Sequence, residues 1–390
     1  MRTITAARLW NGKELLENPV IEIEEGCIRS IASRGSHELR SGSDEMAHFP
    51  DATLAPAFFD VHIHGAAGHD VMEATPEALG AICRFLASRG TGSFLATTVT
   101  APLDMTLRAL DGLAKLIDHP ESVEGTGPAA RPIGIHLEGP FLSHAKCGVQ
   151  PKEHLLAPDI AIFDKLYEAA GGHARLMTLA PELPGAIELA THATKRGVRV
   201  SLGHSDAKAP ETRAAITAGA VSATHTFNAM RALDHREPGI LGTVLTTDSL
   251  FSELICDGIH TSPEIVKLWW RAKGPEQAIL VTDAMSAAGM PDGEYHLGGF
   301  AVQVANGKAM ARGVLAGSVL TLDRALANFL RFTGAPIELA LRLLTVNPAA
   351  MTGFENRAGS IAIGQPANLI AVDAEGKLIA AFVEGQFAAA

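Results

Sequence analysis

Residues 133–140 read IGIHLEGP. An apolar, strand-forming run ends on the carboxylate of Glu138, and Gly139-Pro140 stops it. A carboxylate at the end of such a run cannot join a core unpaired. It needs a cation, a metal or a substrate. Seven further apolar runs take the same form: Leu54–His62, Gly92–Thr98, Arg175–Pro181, Val198–His204, Ala220–His225, Phe251–Asp257 and Ala278–Asp283. Six of the eight end in His, Glu or Asp, which places polar groups repeatedly at one end of the strands.

Helical patterns separate these runs. They cover Pro76–Arg89, Leu103–Asp118, Ile160–Ala170, Gly185–Arg196, Ala209–Ala218 and Pro263–Lys273, with Leu320–Phe332 and Ile337–Val346 following the last strand. Strands alternating with helical crossovers imply a parallel sheet, and eight repeats imply closure into a (β/α)8 TIM-type barrel. Side chains at the strand C-termini of such a barrel face the active site.

The chain ends are different. Ile4–Trp10, Val20–Ile23 and Cys27–Ala32 read as short strands, with turns at Asn11-Gly12 and Glu25-Gly26. Ile361–Gly364, Asn368–Val372 and Leu378–Val383 mirror them, and residues 36–48 read as a polar loop. The expectation is an α/β protein. Residues 1–55 plus 356–390 form a small β-sandwich domain, and 56–355 form the barrel catalytic domain.

Composition narrows the partners. Lys and Arg number 32 against 43 Asp and Glu, a net charge of −11, which disfavours nucleic acid and anionic membrane surfaces. The cysteines Cys27, Cys83, Cys147 and Cys256 are scattered without a CxxC, as expected of free thiols in a reducing compartment. The start, MRTITAARLW, has no apolar signal core, and no run is long enough to span a bilayer. A cytoplasmic, soluble protein is expected.

Several side chains can carry chemistry. In His62-Ile63-His64, alternate strand residues share a face, so both imidazoles can reach one ion; a hydrogen-bonded pair at a turn reads the same way. Glu138, His204 and His225 end three different strands, and two His with one Glu is a recurring set for a catalytic divalent ion. Asp283 ends the last strand. It can serve as a general base beside activated water, as a helix N-cap or as another ligand. His260 lies just past the seventh strand, where it can polarise a carbonyl or sit in a surface loop. Arg236 can clamp a phosphate or carboxylate bidentately, or pair with Glu237 in solvent. Gly313–Ser318, GVLAGS, offers backbone N–H groups near the rim and is no Walker A loop.

In order along the chain stand DVHIHG (60–65), HLEGP (136–140), GHS (203–205), HTFNAM (225–230), REPG (236–239), DGIH (257–260), VTDAM (281–285) and LAGS (315–318). Together they resemble the N-acetylglucosamine-6-phosphate deacetylases of the amidohydrolase superfamily, over essentially the whole chain. The resemblance implies a barrel with a β-sandwich from both termini. It implies that Glu138, His204 and His225 hold the principal ion: zinc, iron, manganese or cobalt. His62 and His64 then allow a second. Asp283 becomes the catalytic acid/base and His260 its electrophilic partner. Asn228, Ala229, Arg236, His260, Val149, Gln150, Leu315 and Ala316 become substrate contacts. The Arg of REPG reaches the phosphate of a neighbouring subunit, so Arg236 implies a homodimer. The products implied are acetate and an amino-sugar phosphate. One position departs: Gln150 stands where the family usually carries a sugar-contacting His, which keeps the galactosamine epimer and other N-acyl amino sugars open. Two further alternatives are another amidohydrolase, for which the REPG motif has no use, and a non-catalytic barrel scaffold.

Overall fold

The structure is a computed structural model that describes residues 2–33, 45–123 and 125–388. Among these, eight parallel strands follow one another in sequence and in space: β1 Phe58–Ile63, β2 Thr91–Thr98, β3 Arg131–Glu138, β4 Ala174–Leu179, β5 Arg199–Leu202, β6 Ala220–Ala223, β7 Phe251–Ile255 and β8 Ala278–Val281. The ring closes between β8 and β1. There the Asp283 N–H donates to His62 O at 2.9 Å and the His64 N–H to Ala284 O at 2.8 Å. This is the (β/α)8 barrel the alternation predicts.

A helix follows each strand, and local chemistry accounts for them. Pro76–Ser88 starts where Thr75 Oγ1 accepts the Ala78 N–H and Pro76 occupies the first turn. Leu103–Asp118 buries Thr106, Ala109, Leu110, Leu113 and Ala114, one stripe at helical spacing. The helix after β6, Gly239–Thr246, has no counterpart in the sequence reading. Its residues GILGTVLT are apolar all round and largely buried, so no amphipathic period marks it.

Layers below the rim differ from the usual apolar barrel filling. His136 Nε2 meets Thr178 Oγ1 at 2.8 Å, Thr178 meets Thr224 at 2.8 Å, and Thr224 donates to Ser201 Oγ at 2.6 Å. These hydroxyls satisfy one another in the interior, as buried polar groups must.

The termini build a separate mixed sheet. Hydrogen bonds join Gln386–Ala388, Leu378–Val383, Leu369–Val372, Glu45–Pro56, Arg2–Trp10, Pro19–Glu24 and Cys27–Ser33 in that order, and Leu15–Glu17 pairs with Arg2–Trp10. Ile4, Leu9, Ile21, Leu54, Leu369 and Phe382 form its core. Three expectations need correction here. Ile361–Gly364 forms no strand: its first and last amides donate to Asn11 O and Ile28 O as it turns along the sheet's margin. Residues 45–48 of the expected loop are strand, while 36–44 lie outside the described residues. The run Leu54–His62 divides between two sheets. The Ala57 N–H donates to Asn368 O in the terminal sheet, and the next amide, Phe58, donates to Gly90 O beside the barrel. An unbroken apolar run carries no mark of such a change of partner.

After β8 the chain forms a four-stranded antiparallel sheet that the sequence reading lacks: Gly293–Leu297, Phe300–Ala305, Lys308–Ala311 and Val314–Leu315. Leu297, Val302 and Ala309 pack with Met285, Val99 and Val149, which lays this sheet over the C-terminal face of the barrel. Gly298-Gly299 and Asn306-Gly307, both residues of each pair at positive φ, turn its hairpins.

Among the described residues, no helix is long and apolar enough to cross a membrane. The four cysteines are free, with Cys27 exposed.

Gly139, directly after Glu138, has φ +96°, and a Cβ there would lie 2.2 Å from Thr100 Oγ1. Gly139→Ala is therefore expected to destabilise the protein by about 1–3 kcal/mol. Denaturant unfolding followed by circular dichroism reads this as a lower midpoint.

Candidate functional site

The strand ends converge. β1 delivers His62, with His64 directly after it, β3 delivers Glu138, and the turns after β5, β6 and β8 deliver His204, His225 and Asp283; all six are buried. Three of them lie in the left-handed region, with φ of +46° for His204, +25° for His225 and +48° for Asp283. Such conformations cost non-glycine residues of order 1–2 kcal/mol and persist where neighbours hold them. Here backbone bonds do so. Ser205 N–H donates to Ala229 O at 3.0 Å, Thr226 N–H to Glu253 O at 2.8 Å and Ser318 N–H to Asp283 O at 2.7 Å.

Glu138 is the centre. Its Oε1 lies 3.1 Å from His204 Nε2, 3.1 Å from His225 Nε2 and 3.3 Å from His62 Nε2. Its Oε2 lies 3.3 Å from His64 Nε2 and accepts the Gln150 amide at 2.6 Å. Asp283 Oδ1 sits 3.2 Å from His64 Nε2 and 3.6 Å from His62 Nε2. The expected trio of Glu138, His204 and His225 is thus brought together, and His62 joins it.

Electrostatics follow from burial and pairing. Burial alone would raise Glu138, but His62, His204 and His225 hold its carboxyl well below the usual range. Asp283 likewise is pushed up by burial and held low by His64 and His62, so it is a carboxylate. Burial pushes His64 down, yet Asp283 and Glu138 outweigh it and lift the ring to about 9. Beneath them Asp60 accepts from Thr282 Oγ1 at 2.6 Å, and burial raises it to about 7.

A cavity of about 240 Å³ opens above the cluster. Val149, Gln150, Asn228, Ala229, His260 and Leu315 line it, as expected of substrate contacts. Two expected residues do not. Ala316 is buried against the small sheet, its N–H spent on Ala309 O and its side chain packed among that sheet's apolar residues. Arg236 is exposed on its loop, held by Asp234, and reaches no part of this subunit's cavity.

Two features went unread in the sequence. Asp257 Oδ2 meets His260 Nδ1 at 2.7 Å, and its Oδ1 accepts the His260 N–H at 2.8 Å. Burial would lower His260, and Asp257 raises it instead. The i,i+3 spacing in DGIH was the available signal. The second is Gln150, whose amide is already engaged: it donates to Glu138 and accepts the Thr100 N–H at 2.8 Å. It borders the cavity while fixing Glu138. Gln150→Leu is expected to weaken divalent-metal affinity about 10–100-fold, read by metal titration of the chelator-treated protein.

The amidohydrolase family profile matches residues 53–389. The N-acetylglucosamine-6-phosphate deacetylase of Bacillus subtilis is 36% identical over 363 residues, covering 93% of this chain and 90% of its own. The N-acetylgalactosamine-6-phosphate deacetylase of Escherichia coli is 40% identical over 321 residues, covering 82% and 83%. A mutant of the N-acetyl-D-glucosamine-6-phosphate deacetylase of Mycobacterium smegmatis, solved in complex with N-acetyl-D-glucosamine-6-phosphate, superposes with a TM-score of 0.91 at 32% identity, covering 100% and 99%. The chain belongs to the N-acetylglucosamine-6-phosphate deacetylase family of amidohydrolases.

The donor set fits the divalent ions of that family. Two buried groups, His62–His64–Asp283 and His62–Glu138–His225, each bring three ligand atoms within 4.8 Å of one another, room for one or two ions. Ring orientation agrees. His64 Nδ1 faces Thr97 O at 3.0 Å and His204 Nδ1 faces Lys146 O at 3.1 Å, so the neutral ring that binds a cation would keep its proton on Nδ1 and turn the Nε2 lone pair inward. His204 Nε2 and His225 Nε2 stand only 3.1 Å apart, a packing of nitrogens that a shared cation satisfies.

Proposed function

We propose that this protein is a metal-dependent deacetylase that hydrolyses the acetamide of an N-acetylhexosamine 6-phosphate, releasing acetate and the amino-sugar 6-phosphate. The observation that carries the reading is the meeting of three imidazoles at Glu138 Oε1, beside the ionised Asp283, at the floor of a cavity. Glu138, His204 and His225 would hold the principal ion, and His62, His64 and Asp283 a second. A divalent ion in such a set supplies Lewis acidity, acidifying water and polarising a carbonyl.

The chain's own groups divide the remaining work. Asp283, a buried carboxylate, takes the proton of the attacking water and returns it to the amide nitrogen as the C–N bond breaks. His260, its Nδ1 held by Asp257, turns its other ring nitrogen to the carbonyl oxygen and stabilises the charge that grows there. Gln150 keeps Glu138 in place. Asn228, Ala229, Val149 and Leu315 border the sugar. Arg236 binds the phosphate of a second subunit's substrate in a homodimer, a reading supported by its exposure and by its place outside this cavity's lining. The domain division proposed is 1–55 plus 356–390 against 56–355.

N-acetylglucosamine 6-phosphate is the substrate most of the relatives point to, and the galactosamine epimer is the second reading, carried by the 40% identical E. coli relative. Acetate release from both phosphates and from the unphosphorylated sugars tests this. The expected result is turnover of the glucosamine phosphate at least about tenfold above its epimer, an energy difference of about 1.4 kcal/mol. Equal rates on the unphosphorylated sugars would remove the phosphate from the reading.

A further inference from the structure

Glu253 lies on β7, is fully buried in the barrel interior, and enters no step above. Its Oε2 stands 3.4 Å from His62 Nδ1 and 3.4 Å from the His225 backbone N–H. Its Oε1 has no hydrogen-bond partner. A carboxylate so placed is costly to bury, and barrel interiors are ordinarily apolar. The ring it faces is His62. On the far side of that ring Nε2 is buried, makes no hydrogen bond, and points toward Glu138 and Asp283.

We infer that Glu253 is the positioning residue for His62, fixing the tautomer that lets His62 serve the second ion of the cluster. The inference rests on the metal-dependent reading above. A carboxylate can only accept, so the neutral His62 ring that binds a cation keeps its proton on Nδ1 and offers the lone pair of Nε2. His64 and His204 direct Nδ1 to backbone carbonyls. His62 alone of these three directs it to a carboxylate, a stronger acceptor that makes the ring a better donor to a cation. The same Glu253 oxygen faces the His225 amide, so it also ties His62 to the strained turn that carries His225.

The test is a cobalt(II) titration of the chelator-stripped full chain, followed by visible absorption and equilibrium dialysis. The parent is expected to take two equivalents. Glu253→Met removes the acceptor at similar volume. It is expected to keep the first equivalent and weaken the second about 10–100-fold. Thermal stability separates this from a packing defect, because replacing a buried charge with an apolar side chain is often neutral or stabilising. Glu253→Gln keeps an acceptor oxygen and is expected to lose less affinity, which also decides the matter if the Met variant does not fold. Two equivalents bound by Glu253→Met as tightly as by the parent would overturn the inference, as would a parent that takes only one under excess cobalt. A parent that takes none would overturn the metal-dependent reading itself.

Discussion

Asp283→Asn is expected to lower turnover by about 10²–10⁴-fold while the protein keeps its fold and its tightest-bound metal equivalent. The amide cannot accept the proton of the attacking water or return it to the leaving amine. Asn is nearly isosteric and is among the few residues that tolerate the left-handed backbone found here, φ +48°. The turn that carries the side chain should therefore survive. Asp283 also meets His64 and His62, so the second equivalent should weaken in the same variant. Steady-state acetate release with metal analysis of the same samples separates the two effects. Turnover within a few-fold of the parent would remove Asp283 from the proton path.

Glu138→Ala is expected to abolish both metal binding and activity. All four histidine ligands are organised around this carboxylate: three imidazoles at Oε1, one imidazole and the Gln150 amide at Oε2. Removing it leaves the His204 and His225 nitrogens facing one another without the carboxylate that joins them. Metal affinity should fall by more than about 100-fold, the upper end seen when only an outer partner of a ligand is lost. Metal content per subunit after dialysis reads this directly, and a variant that retains a full equivalent would show that the ion sits elsewhere.

The barrel was legible because six of its eight strands announce themselves twice, as an apolar run and as a His, Glu or Asp at its end. HLEGP, GHS and VTDAM carry both marks, and the structure places their side chains at one rim. What escaped was whatever lacked a period or depended on distant partners. Gly239–Thr246 is buried over its first six residues and shows no stripe. The sheet of residues 293–315 alternates over strands of two to six residues, too short to stand out beside the barrel runs. Gln150 read as a sugar contact because the family resemblance puts it at the place of a sugar-contacting His. Only the fold reveals that its amide turns back to Glu138. Glu253 was hidden for the same reason: inside FSELI it is one polar residue in a buried strand, and its meaning comes from His62, 191 residues away.

Removing and restoring the ion tests the central claim most directly. Protein stripped with a chelator is assayed for acetate release from N-acetylglucosamine 6-phosphate as zinc or cobalt is added back in measured equivalents. Stripped protein should be inactive, and turnover should rise in proportion to the first equivalent bound. Full turnover by metal-free protein would contradict the assignment of Glu138, His204 and His225 to a catalytic ion.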